Sequence, residues 1–298
     1  MLEKNKCNSV VSTARLGGLF CDEKPIVGFM LKKKGYSIDP ASFDKDALDL
    51  LIQEDKMIGM ISYFSVENND EDAAFATSGT GNRSKTREGI KRWTFMFDKG
   101  ACFQNELQKL DNSDSYEFIP VLEDGKAQFA VKRDGTLIGF DAKLFTGVRQ
   151  LRVNDEMSGA TLEVEIQRSG MTYWQNASAV YESDEFGFNE LMPVAGLNIE
   201  LPVLVAAAVS TSVTVSNLCS DTPVVGLTNP TNWKMSRNGT LEAVSAVSYN
   251  PVTEVYSLTH SALVADDKIG FTTNKDGYAV YVIDTNYYAG SSIIKTVV

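Results

Sequence analysis

Five basic side chains, Arg83, Lys85, Arg87, Lys91 and Arg92, stand in the run Ala76-Thr-Ser-Gly-Thr-Gly-Asn-Arg-Ser-Lys-Thr-Arg-Glu-Gly-Ile-Lys-Arg-Trp93. Glycine-loop amides with flanking cations could hold a phosphate. The spacing does not deliver that chemistry. A P-loop needs G-x-x-x-x-G-K-[ST], which Gly79-Thr-Gly81-Asn-Arg83 does not supply, and the dinucleotide fingerprint would need glycine where Ser84 stands. The remaining readings are a long hairpin arm or extended loop that docks on another molecule, and a solvated surface loop. On a chain of net charge −11, a basic arm is suited to acidic faces of identical neighbours. Contacts of that kind are heterologous and generate rings or head-to-tail stacks.

The other reactive residue types narrow the field further. A single histidine, His260, excludes a metal site built on several imidazoles. Any nucleophile–histidine mechanism would have to use it. It sits in the alternating segment Tyr256-Ser-Leu-Thr-His-Ser-Ala-Leu-Val264, which reads as a strand or turn. Cys7, Cys21, Cys102 and Cys219 show no C-x-x-C spacing, so the expectation is reduced, mostly buried thiols. The acidic run Glu67-Asn-Asn-Asp-Glu-Asp72 lacks the frame of a calcium loop and reads as a flexible acidic loop. Lys32-Lys-Lys-Gly35 reads as a solvated hairpin end, and Tyr173 and Trp174 as core or interface packing. No cofactor, metal or catalytic constellation emerges, and the expectation is a protein that is not an enzyme.

These residues need elements to position them. The 298 residues, 43% hydrophobic and 22% charged, are enough for one large or two ordinary globular domains. Charge density falls near residue 198: the first 198 residues hold 31 of the 39 acids and 23 of the 28 bases. The two-proline stretch Met192-Pro-Val-Ala-Gly-Leu-Asn-Ile-Glu-Leu-Pro202 marks the expected boundary, giving domains 1–198 and 199–298. The start of the chain lacks the apolar run of a signal peptide, and residues 201–209 are too few to span a bilayer. A soluble protein assembled inside a cell is expected, without a membrane partner. The acidic balance argues against nucleic-acid binding by the whole surface.

In residues 1–198 a helix is expected from the Asp39-Pro-Ala-Ser42 cap signal to about residue 57, with Phe43, Ala47, Leu50, Leu51 and Glu54 at helical spacing and Leu48 widening the stripe. A strand over 60–66 follows, then a helix over 101–110. Strands at 116–122, 128–132 and 136–140 are punctuated by Asp-Gly turns at Gly125 and Gly135. Residues 162–168 alternate with period two, and 173–181 reads as the partner strand across a Ser169-Gly170 turn. The result is an α+β domain, a β-sandwich or barrel with flanking helices. Residues 199–298 read as all β, with strands at 212–216, 233–235, 241–249, 255–259, 268–272, 278–284 and 292–297. Trp233 and Tyr256-Ser-Leu-Thr259 fit an immunoglobulin-like core.

The segment Thr77-Ser-Gly-Thr-Gly-Asn-Arg-Ser-Lys-Thr-Arg-Glu-Gly89 leads into Ile90-Lys-Arg-Trp-Thr-Phe-Met-Phe97, the expected helix, the hairpin Arg133-Asp-Gly-Thr-Leu-Ile-Gly-Phe140 and the strand at 162–168. Together they resemble virion proteins of tailed bacteriophages, of the tail-tube type. The C-terminal hundred residues resemble the immunoglobulin-like domains fused to phage tail-tube and capsid proteins. The resemblance implies a tail-tube-like fold, stacked rings (usually hexameric) of identical subunits, other tail proteins as partners, and a lumen through which DNA passes unbound. It places the protein in the virion tail after assembly in the host cytoplasm. Arg83, Lys85, Arg87, Lys91 and Arg92 would form an inter-subunit loop, and the C-terminal domain would make a weak glycan contact. The alternatives are a head-decoration or fibre protein, a glycan-binding adhesion module, and a hydrolase using carboxylates alone.

Overall fold

The computed structural model describes residues 1–4, 24–148, 159–273, 281–283 and 286–298. The chain is mostly β-sheet, with three α-helices among the described residues. It divides into two compact units, one of residues 1–51 with 56–191 and the other of residues 52–55 with 192–298.

The first unit contains β1 (Leu2–Lys4), β2 (Ile26–Lys33), α1 (Lys45–Gln53), β3 (Met57–Ser62), β4 (Ser65–Asn68), β5 (Ala74–Thr77), β6 (Arg83–Arg87) and β7 (Arg92–Phe97). It continues with α2 (Ala101–Gln108), β8 (Tyr116–Leu122), β9 (Ala127–Val131), β10 (Leu137–Ile138), β11 (Phe140–Thr146), β12 (Ala160–Ile166), α3 (Arg168–Asn176) and β13 (Ser178–Ser183). Eleven strands join in the order β1-β13-β9-β8-β11-β12-β7-β4, with β2 on β8, β3 on β2 and β10 on β9; β5 and β6 form their own two-stranded sheet.

Alternation builds the core. Leu162, Val164 and Ile166 of β12 point inward and are essentially inaccessible, while Glu163 and Glu165 take the other face. Phe29, Phe95, Phe97, Phe118 and Phe140 fill the interior, with Phe29 and Phe95 rings 4.6 Å apart. Truncating one such ring to alanine costs about 3–5 kcal/mol. The Asp-Gly turns sit where a positive φ is needed: Gly125 at 78° between β8 and β9, and Gly135 at 85° between β9 and β10.

Several expectations are corrected. The cap of α1 is Asp44, whose Oδ1 accepts the Ala47 amide at 2.8 Å, while Asp39 closes a local turn onto Ala41 and Ser42. The buried stripe runs through Phe43, Leu48 and Ile52, leaving Leu50 53% exposed. The strand expected over 60–66 is two strands with different partners, β3 on β2 and β4 on β7. Residues 168–176, expected as turn and strand, form α3. Tertiary packing overrides weak helix propensity there, with Trp174 against Phe140 and Trp93 and Gly170 against the Asp141 backbone. β13 then pairs with β9 and β1, not with β12.

Lys32, expected in a solvated hairpin end, is wholly buried in β2. Its Nζ lies 2.6 Å from Glu117 Oε2, which also accepts the Gly139 amide at 2.9 Å. The Lys33 and Tyr36 carbonyls take its remaining protons. Burial pulls the ammonium below its ordinary value against the opposing pull of Glu117. The expectation of reduced thiols is also corrected: Cys102 and Cys219 are disulfide-bonded, because spacing along a chain does not limit which cysteines a fold brings together. Cys7 and Cys21 lie outside the described residues.

The second unit holds β14 (Ala195–Glu200), β15 (Ser210–Asn217), β16 (Trp233–Arg237), β17 (Thr240–Ala243), β18 (Ala246–Asn250), β19 (Val255–Thr259), β20 (Lys268–Thr273), β21 (Tyr281–Ile283), β22 (Asn286–Gly290) and β23 (Lys295–Thr296). They form a six-stranded sheet, β18-β19-β15-β14-β22-β21, and a four-stranded one, β17-β16-β20-β23. One core joins them: Val213, Val215, Tyr256 and Leu258 pack with Trp233, Met235, Ile269 and Phe271. Trp233 Nε1 donates to the Leu227 carbonyl and the Tyr256 hydroxyl to that of Val224, so both aromatic polar atoms are satisfied.

The strand expected over 241–249 divides between the two sheets as β17 and β18, and Ala195–Glu200, expected as a bridge, is a strand of the larger sheet. In place of the strand expected over 292–297, only Lys295–Thr296 is extended in a ladder, and β22 precedes it. Most of the strand expected over 278–284 lies outside the described residues.

Candidate functional site

The five basic residues belong to one ribbon. β4 pairs antiparallel with β7 through Asn68↔Trp93. The register carries on through the single bridge Glu71↔Ile90 to Ala74↔Arg87, where β5 and β6 begin. A turn over 78–82, with Gly81 at φ 85°, closes the ribbon. The expected arm is therefore a β-hairpin of residues 74–87, continuous with the end of the large sheet, and every residue of β6 is exposed.

The acidic faces that these cations meet are in their own chain. Arg83 lies over the Phe75 ring, 3.9 Å from its centroid. Lys85 pairs with Glu88, and Lys91 with Asp70. Arg87 and Arg92 share Glu71: Arg87 donates to Oε2 and Arg92 to Oε1, each at 3.1 Å. Arg92 also meets Glu165 at 2.6 Å and Glu163 at 3.4 Å on β12. The hydrogen bonds it donates to Glu165 raise its guanidinium further, outweighing burial. Burial works against ionisation of Asp70, but the Lys91 ammonium and the Arg92 amide outweigh it and hold the carboxyl below 3.8.

The run 67–72, expected as a flexible acidic loop, thus ends β4 and supplies the ribbon's ion pairs. Sequence reasoning singled out the cations, had Glu71 only as part of a flexible acidic run, and missed Glu163, Glu165 and Gly89. The period-two spacing of Glu163 and Glu165 was a usable signal, since it places both on one face of β12. Gly89 carried none: a Cβ there would lie 2.7 Å from the Glu71 carbonyl oxygen, a crossing that only the folded ribbon reveals.

The apolar surface that the ribbon presents is more conspicuous than its charge. Phe64, Val66 and Phe75 are 61%, 40% and 48% exposed. β4 ends its sheet with no strand on its outer side among the described residues. Such an edge is a template for pairing with another chain.

His260 is buried, with Nδ1 2.8 Å from the Ser261 carbonyl oxygen and Nε2 2.8 Å from Thr211 Oγ1. Because the carbonyl only accepts, Nδ1 carries the proton and Nε2 accepts from the threonine hydroxyl in the neutral ring. A surface depression of about 350 Å³ is lined by Asp124, Lys126, Glu182, Asp184, Glu185 and Glu190. Lys126 bridges two of these carboxylates, Asp124 at 3.2 Å and Glu182 at 3.1 Å. Among the described residues no group of three or more histidine, cysteine or acidic side chains is placed to hold a metal, and no helix is long and apolar enough to cross a membrane.

No family model, curated protein or solved structure matches the chain.

Proposed function

We propose that this chain is a non-enzymatic structural protein of a tailed-bacteriophage virion. Its identical subunits join into stacked rings that form the tail tube. The first unit is the tail-tube-like assembly domain, and the second is an immunoglobulin-like sandwich.

One observation carries the reading. β4 is an open sheet edge with exposed Phe64 and Val66, and its ribbon runs on into an exposed hairpin arm. An isolated two-stranded hairpin is marginally stable in water, so an arm of this kind gains its stability against a partner surface. Edge and arm on one subunit, received by a different surface of the next, make a heterologous contact that closes into rings. In the assembled tube the net charge of −11 repels DNA and keeps it moving through the lumen.

Negative-stain electron microscopy of the concentrated, intact chain tests this. Rings or tubes with a central channel support the reading. Monodisperse monomers or trimers overturn it in favour of a decoration or adhesion protein that works through its second unit.

A further inference from the structure

We propose that Glu71 is a clasp that fixes the pose of the arm on the sheet, giving the arm a held and a released position governed by ionic strength. The inference concerns charges within one chain and stands whether or not the arm serves assembly.

The backbone alone connects arm and sheet weakly. Between the β4–β7 ladder and the β5–β6 ladder the backbones meet at the Asn69 amide, which donates to the Arg92 carbonyl at 2.8 Å, and at the bridge Glu71↔Ile90, whose two amides each donate to the other residue's carbonyl, at 2.9 and 3.0 Å. Beyond that bridge no backbone bond among the described residues joins the two sides until Ala74↔Arg87, so the side chains there carry much of the connection. At that position one carboxylate reaches both ways. Its Oε2 takes Arg87, the last residue of the arm, and its Oε1 takes Arg92, the first residue of β7.

Arg92 is itself anchored on β12 through Glu165 and Glu163, so the chain of contacts runs from the sheet interior's outer face to the arm without a gap. Lys91 and Asp70 add a parallel tie on the sheet side of the bridge. The remaining cations of the arm have local partners: Lys85 pairs with Glu88, and Arg83 with Phe75. Gly89 lets the two backbones cross closely enough for the clasp to close, since a Cβ would strike the Glu71 carbonyl oxygen.

A half-exposed carboxylate between two guanidinium groups is the kind of ion pair that salt screens. Each such pair is weak alone, and the network is what holds the pose.

Hydrogen exchange read by mass spectrometry on the full chain tests the clasp at the amides of Glu71 and Ile90. Glu71→Gln should raise exchange there roughly threefold to tenfold, Arg87→Gln should reproduce it, and wild type in about 1 M salt should approach it. Lys85→Gln, which breaks only the local pair, should leave those amides unchanged, and none of these variants should change exchange along β12. Wild-type exchange at both amides in Glu71→Gln overturns the proposal, and so does an equal rise throughout β12, which would mean general loosening. Ring formation is a separate readout, so either idea can fail alone.

Discussion

Lys32 and Glu117 stand directly opposite each other across the β2–β8 pairing, with Nζ 2.6 Å from Oε2 and the lysine wholly buried. Each ammonium proton has an acceptor, and the carboxylate has a second donor in the Gly139 amide. Taking both charges out of water is expensive, and their attraction roughly balances that cost. The pair's value is in register: a one-residue slip of β2 on β8 would strand two unpaired charges in the core.

Removing one partner therefore does more harm than removing both. Glu117→Ala is expected to cost about 3–5 kcal/mol, because it leaves an uncompensated buried ammonium. Lys32→Met combined with Glu117→Leu should fall within about 1 kcal/mol of wild type or above it. Urea denaturation of the three proteins checks this, and equal losses in both variants would refute the account.

Asp70 gives a pH prediction with a definite sign. Its folded-state pKa lies below the ordinary 3.8, so its contribution is fully present above that value and fades as the pH falls through the lowered one. The Arg92 amide, which donates to Asp70 Oδ1 at 3.1 Å, should show a chemical-shift transition with a midpoint below 3.8, absent in Asp70→Asn. A midpoint above 3.8 would contradict it.

Gly170 is held against the Asp141 backbone, where a Cβ would lie 2.6 Å from its carbonyl oxygen and 2.9 Å from its nitrogen. Gly170→Ala should lower stability by about 1–3 kcal/mol, since backbone cannot give way as a flexible side chain does. Gly79→Ala, with nothing within 4 Å, is the control and should shift the thermal midpoint little.

Replacing residues 74–87 by a short glycine linker should leave the thermal midpoint nearly unchanged, because the arm has no buried residue. The same change should abolish rings in electron micrographs if the proposed function holds. Rings that form without the arm would assign assembly to the β4 edge alone.

Thiol labelling of the unfolded, unreduced chain should find neither Cys102 nor Cys219, and reduction should expose both. Reduction should also lower stability, by about 2–5 kcal/mol for each constraining bond lost. Labelling of Cys102 before reduction would return the protein to the reduced-thiol expectation.

The legible parts of the fold were those fixed by local physics. Period-two alternation located β12, Asp-Gly pairs located the turns at Gly125 and Gly135, and a helix start after Gly100 was readable. The illegible parts were decided by contacts between distant segments. Nothing near Lys32 announces Glu117, and α3 forms because Trp174 finds Phe140, against its own propensities. At the ribbon, charge and glycine content indicated an arm, but not the internal destination of the charges, since Glu71 serves Arg87 and Arg92 from 16 and 21 residues away.

The second unit pairs its first strand with a strand near its end, and it does so in parallel: β14 and β22 match at Ala195↔Tyr288, Gly196↔Ala289 and Leu197↔Gly290. Gly290 permits a tight fit, as a Cβ would lie 2.5 Å from that of Leu197. Tension applied at the two outward ends of this pair pulls along both strands in opposite directions and loads every bond at once. The joint is thus stressed in shear, whereas the antiparallel β21–β22 pair would peel open one bond at a time from its free end. The unit is expected to behave as a mechanical fastener, and force spectroscopy should read a higher rupture force when it is pulled across β14–β22 than when β21 is peeled away.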